Sequence, residues 1–108
     1  MSLTSGFWVA AYRQRLSLEG IPCFVTRHGD DHAGAILVKL NTLDGRGKVF
    51  QRGFDLTTGA RNWVVLAEGD EASCDAACAR QAGFDPDLWV LEVEDRAGRH
   101  LLDAPGLE

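Results

Sequence analysis

The stretch that most constrains the fold is Phe84-Asp85-Pro86-Asp87-Leu88-Trp89-Val90-Leu91-Glu92-Val93-Glu94-Asp95-Arg96-Ala97-Gly98-Arg99-His100. Asp85 and Pro86 favour a turn: proline presets φ, and aspartate bonds the backbone two residues on. An apolar run of strand length follows from Leu88 to Glu94, and a second turn signal at Ala97-Gly98 closes it. A run so short, bounded by turns, belongs in a packed sheet and cannot span a bilayer. Alternation puts Trp89, Leu91 and Val93 on one face, and Glu92 and Glu94 together on the other.

The rest of the chain supplies partners for that strand. Residues 5–19 read as a helix, with Ser5 as N-cap, Trp8, Tyr12 and Leu16 at four-residue spacing, and Gly20 and Pro22 ending it. A strand is expected over 21–28, then a polar loop at Gly29-Asp30-Asp31-His32. Residues 34–42 form a second strand, with Ile36, Val38 and Leu40 buried and Leu37, Lys39 and Asn41 on a partly wet face. Asp44-Gly45 marks a hairpin. Shorter strands are expected near 47–52 and 63–66. A small-faced helix over 70–82 is rich in Ala and Cys, and Gly83 is its stop. A short strand over 99–102 ends the chain. The expected fold is α+β: an antiparallel sheet of five to six strands with two packed helices. The expected core is Trp8, Tyr12, Leu16, Ile36, Val38, Leu40, Val64, Leu66, Ala77, Phe84, Trp89, Leu91 and Val93.

At 108 residues the chain suits one domain, taken as 1–106, with Leu107-Glu108 set aside as a tail of vector origin. The N-terminus lacks the pattern of a secretory signal, and three cysteines, Cys23, Cys74 and Cys78, fit reduced thiols in the cytoplasm. Charge is segregated. Residues 1–67 carry eight Lys/Arg and five Asp/Glu, while residues 68–95 carry one Arg and nine Asp/Glu. Such an acidic third disfavours nucleic acid as a partner. The basic part could pair with the acidic third within or between chains, although scattered solvated charge would look the same in sequence.

Candidate chemistry gathers in the C-terminal segment. Asp85, Asp87, Glu92, Glu94, Arg99 and His100 are the candidate binding residues. Paired carboxylates can hold a divalent cation or work in acid–base catalysis; equally, Glu92 and Glu94 can be a solvated strand end paired by Arg96 or Arg99. No complete catalytic set is present. Cys74 and Cys78 share a helix face and, with His28 or His32, would make a zinc set, but the spacing lacks a knuckle turn and buried Cys is the commoner case. The Gly29–Gly34 loop precedes a strand and not a helix, so it reads as a hairpin loop and not a phosphate cradle. Trp8, Trp63 and Trp89 read as core, with Trp8 the best interface candidate. No metal and no cofactor are expected.

Three blocks, Phe7-Trp8-Val9-Ala10-Ala11-Tyr12, Ala33 through Lys39, and Phe84 through Trp89 with Glu92-Val93-Glu94-Asp95, together resemble the bacterial domain of unknown function 1491 family. The resemblance runs through nearly the whole chain. It implies a short, single-domain, cytoplasmic protein and brings no activity, cofactor or partner. The expected function is a non-catalytic binding or protein-interaction module, self-association included. The alternative is a metal-dependent hydrolase using carboxylates of the 85–100 segment.

Overall fold

A computed structural model describes residues 3–107, the Phe54 side chain excepted. In chain order the elements are α1 (Ser5–Leu18), β1 (Cys23–Arg27), β2 (Ile36–Asn41), β3 (Arg46–Phe54), β4 (Arg61–Asp70), α2 (Glu71–Phe84) and β5 (Trp89–Glu94). The strands form one sheet in the order β1-β5-β2-β3-β4. The fold is α+β, as expected, but the sheet is mixed. β5 runs parallel to β2, and every other pairing is antiparallel. The parallel pair follows from the connection. After β2 the chain makes the β3–β4 hairpin, crosses one face as α2, and returns between β1 and β2. The Gly29–Gly34 segment therefore joins two strands that do not pair with each other, and it is not a hairpin loop.

Each face of the sheet carries one helix. On the first face Trp8, Val9, Tyr12 and Leu16 of α1 pack on Ile36, Val38, Leu40, Phe50, Trp89, Leu91 and Val93. Full burial of side chains of this size stabilises by about 2 kcal/mol each. Trp8 is core and not interface; its indole N–H donates to the Leu107 carbonyl at 3.2 Å. Leu107, set aside as a tail in the sequence reading, is thus a core residue, 2% exposed. On the second face Leu37, Val49, Leu88 and Val90 pack against Cys74 and Cys78 of α2. The small side chains of α2 bring helix and sheet close, and all six residues of β2 are buried. Leu37, Lys39 and Asn41 are therefore covered and not partly wet.

Several local expectations are corrected. Thr4 is the N-cap of α1, its hydroxyl accepting from Phe7 N, while Ser5 lies inside the helix and donates to the Gly34 carbonyl at 2.6 Å. Asp70 caps α2, and Gly83 sits within the helix, which runs on to Phe84 and ends at Asp85. Phe84 consequently projects outward, 81% exposed, and is not core. Val64 is also exposed, because β4 is an outer strand that extends beyond the helix covering it. Residues 99–102 form no strand. Leu101 has a positive φ of 59°, and Leu102 N bonds His100 Nδ1 at 3.0 Å, which turns the chain away from the sheet.

The turn before β5 is held from outside. Asp85 Oδ1 accepts from Asp87 N at 3.0 Å. The Asp87 carbonyl accepts from Asp30 N at 3.0 Å, and the Trp89 indole donates to the Asp30 carbonyl at 2.8 Å. A side chain on Gly29 or Gly34 would collide with the Asp87 carbonyl, so the two glycines permit this close approach.

Candidate functional site

Lys39 and Glu92 are directly opposed on β2 and β5, on the face covered by α2. Lys39 lies in an apolar strand, yet its Nζ donates to Asp75 Oδ1 at 2.6 Å, Glu71 Oε1 at 3.1 Å and Glu92 Oε1 at 3.1 Å. Asn41 Nδ2 bridges Glu71 Oε1 at 3.1 Å and Glu92 Oε2 at 3.3 Å. All three protons of the ammonium are satisfied. Burial alone would lower the Lys39 pKa, but the bonds to Asp75, Glu92 and Glu71 outweigh it and hold the group above its usual range. The basic part of the chain does meet the acidic third here, within one chain.

The expected site residues are not brought together. Glu92 is taken up by Lys39 and Asn41. Glu94 shares its face and is half-buried. Asp85 is spent on the turn, and Asp87 is exposed at it. Arg99 forms a two-pronged pair with Asp95, at 3.0 Å and 3.2 Å, and not with the glutamates. Bonds from the Arg99 side chain and then its backbone N–H hold the Asp95 carboxyl below its usual range. His100 lies across the sheet from Glu92, its ring 4.7 Å from that of Phe50 in the α1 core, and burial lowers its pKa. Among the described residues no group of three or more His, Cys, Asp or Glu is placed to hold a metal. The His28 ring lies tilted against Trp89, 4.0 Å between centroids, on the α1 side, whereas Cys74 and Cys78 face α2's side of the sheet.

Two surface features were missed from sequence. The first is a groove of about 620 Å³ between α1 and β1, with Phe7, Val9, Ala10, Val25 and Trp89 along it and Arg13, His28 and Asp31 at its rim. The second is a cleft of about 580 Å³ at the end of the sheet where Arg52 and Arg61 meet Trp8, Ile36 and Leu88. The Arg52 guanidinium lies 5.2 Å from the rings of both Trp8 and Trp63. No local pattern announces either feature. The lone Lys39 in the apolar run Ala35–Leu40 was, by contrast, a visible sign of a buried cation needing acids.

This architecture recurs in known structures. The family model described as protein of unknown function (DUF1491) matches residues 3–103, and the chain belongs to that family. It is similar to a DUF1491 family protein from Caulobacter crescentus whose crystal structure superposes with a TM-score of 0.86 at 40% identity, covering 94% of this chain and 95% of that one. An NMR structure of a DUF1491 family protein from the same organism gives 0.82 at 40% identity, covering 94% of each chain. A solution structure of a protein from A. tumefaciens gives 0.74 at 28% identity, covering 87% of this chain and 86% of that one. Comparison with curated proteins finds no match. Among the described residues no helix is long and apolar enough to cross a membrane.

Proposed function

We propose that this chain is a small, non-catalytic, cytoplasmic interaction module that engages protein along the outer edge of β1, a second copy of itself being the first partner to test. One observation carries the reading: the outer edge of β1 is flanked on both faces by exposed phenylalanine. Phe7, 60% exposed, lies on the α1 side; Phe24, 52% exposed, shares the opposite face with its ladder partner Glu92. Among the described residues β1 pairs only with β5, so its far side offers backbone groups for a further strand. The groove holding Val25 continues the apolar surface of Phe7. Pairing of two β1 edges would cover both rings and join two sheets. The bacterial sources of the structural relatives and the free state of Cys23, Cys74 and Cys78 support the cytoplasmic setting.

Light scattering across a concentration series, at low and high salt, tests the reading. Association driven by apolar edge pairing persists in high salt, since screening weakens only exposed charge contacts. Phe24→Lys should abolish it without lowering the melting temperature. A strict monomer at high concentration in both salts would remove the self-association part. The hydrolase alternative draws less support, because Glu92 is bonded to Lys39 and Asn41 and His100 lies across the sheet. A melting temperature raised by Mg²⁺ or Mn²⁺ would revive it.

A further inference from the structure

We propose that the cleft between Arg52 and Arg61 binds a small organic anion, with its oxyanion group held by the two guanidiniums and its apolar body lying along Ile36 and Leu88. This goes beyond the edge-pairing reading and concerns a different surface.

Arg52 carries the argument. Its Nε and Nη2 are shut off from solvent and have no hydrogen-bond partner. Arginine keeps its charge, and a buried charged donor without an acceptor is costly. The indoles of Trp8 and Trp63, themselves in contact at 5.2 Å, lie side by side against the guanidinium and stabilise its charge. They offer nothing to its N–H groups, which lie in the plane. Trp63 Nε1 is buried without a partner as well. Three buried donors thus gather in one place without an acceptor.

The neighbours sharpen the point. Arg61 lines the same cleft, and neither arginine makes an ion pair among the described residues. Burial first, and the Arg61 cation second, press Arg52 toward losing its proton. An anion between them removes both penalties. Asp85 is the carboxylate lining the cleft, but its Oδ1 is engaged by Asp87 N.

The ligand class follows from the lining. The Nε–Nη2 edge of arginine holds a carboxylate or phosphate two-pronged. A ligand oxygen meets Nη1 and Arg61 first, and a small turn of the guanidinium against the two indoles presents that edge. Gln51 and Gln81 add neutral donors and acceptors, and Ile36, Leu37 and Leu88 add apolar wall. The volume of about 580 Å³ suits a small molecule. Carboxylate and phosphate share the chemistry proposed, and the experiment separates them.

The test is NMR titration of the full chain with hexanoate, hexyl phosphate, inorganic phosphate and neutral hexanamide. Hexanoate or hexyl phosphate should shift the Arg52 Nε–H and Trp63 indole resonances saturably, and the tighter of the two names the preferred oxyanion. Hexanamide should bind at least about tenfold more weakly. Arg61→Gln should weaken the anionic probe about tenfold while leaving the melting temperature unchanged. Arg52→Lys, which keeps the charge and loses the fork, should weaken it as well. Inorganic phosphate matching hexyl phosphate would overturn the apolar part of the proposal. No saturable shift with either hexyl anion, hexanamide binding as tightly as hexanoate, or an unaffected Arg61→Gln variant would overturn the site itself.

Discussion

Lys39 of β2 and Glu92 of β5 are direct partners in the sheet's parallel ladder, and Lys39 Nζ lies 3.1 Å from Glu92 Oε1. Glu71 and Asp75 of α2 close on the same ammonium from the helix side. The contact therefore joins two strands and a helix through one charge, 2% exposed. Removing Lys39 empties its buried site and leaves Glu92 without its cation, while Glu71 and Asp75 remain in contact with solvent. Lys39→Ala should destabilise the protein by about 2–4 kcal/mol in urea denaturation, through lost packing and the lost partner of Glu92. A loss under about 1 kcal/mol would place the cluster among ordinary surface pairs.

Glycine substitutions should divide sharply. At Gly29 a methyl group meets the Asp87 carbonyl and lies 2.5 Å from Trp89 Cδ1; at Gly34 it meets Asp87 O and lies 2.9 Å from Asp30 N. Those atoms are locked by the bonds between Asp30, Asp87 and Trp89. Gly29→Ala and Gly34→Ala should each cost about 3 kcal/mol or more. Gly83 sits within α2 with open space around it. Gly83→Ala should stabilise by about 0.5–1 kcal/mol, since glycine weakens helices. Equal effects at Gly29 and Gly83, read from thermal melts, would contradict the packing described.

Stability should fall at alkaline pH. Burial pushes the Cys23 and Cys78 thiols up to about 11 from 9.0. Between those values the unfolded thiols ionise while the folded ones keep their protons, so rising pH favours unfolding. The raised Lys39 pKa acts in the same direction. Its contribution is complete below the ordinary lysine value of 10.5 and declines above it, as the unfolded lysine alone loses its proton. Urea midpoints measured from about pH 8 to about pH 11 should decrease throughout the upper part of that range. Cys78→Ala should flatten part of the decline. A pH-independent midpoint would count against buried thiols.

Tyr12 ties α1 to the segment after β5. Its hydroxyl donates to the His100 carbonyl at 2.7 Å, and its ring stacks on Trp8 at 4.8 Å. Tyr12→Phe keeps the ring and removes the bond. It should cost about 1–2 kcal/mol, as expected for a carbonyl left without its partner. Amide exchange near His100–Leu102 should accelerate more than exchange in β2. Uniform acceleration would mean that the bond is not a local tether.

Much of the fold is legible in local pattern. The spacing of Trp8, Tyr12 and Leu16, the alternation in β2 and β5, and Asp44-Gly45 all report short-range geometry. What escaped depends on distant residues meeting. Lys39 read as partly wet because alternation shows a polar face without showing that α2 covers it. The parallel pairing of β2 with β5 depends on α2 crossing a face, which no local signal states. Phe84 and Val64 are apolar in sequence, but each lies beyond the reach of the opposing layer. The 85–100 segment drew attention through its density of charge. Part of that charge is satisfied within the fold, by Lys39 for Glu92 and by Arg99 for Asp95. The cluster of the Arg52 guanidinium with Trp8 and Trp63 joins three residues from separate elements, so sequence spacing carries no trace of it.

The central claim is that Glu92 is held with Lys39 in an internal lock. A double-mutant cycle with Lys39→Met and Glu92→Gln tests it most directly, read as urea-unfolding free energies. In the native background Glu92→Gln should destabilise, because a bonded carboxylate is lost. In the Lys39→Met background the same change should be neutral or stabilising, since it relieves carboxylates left without their cation. The predicted coupling is at least about 1 kcal/mol. Additive effects, within about 0.5 kcal/mol, would contradict the lock and return Glu92 to the list of candidate functional groups.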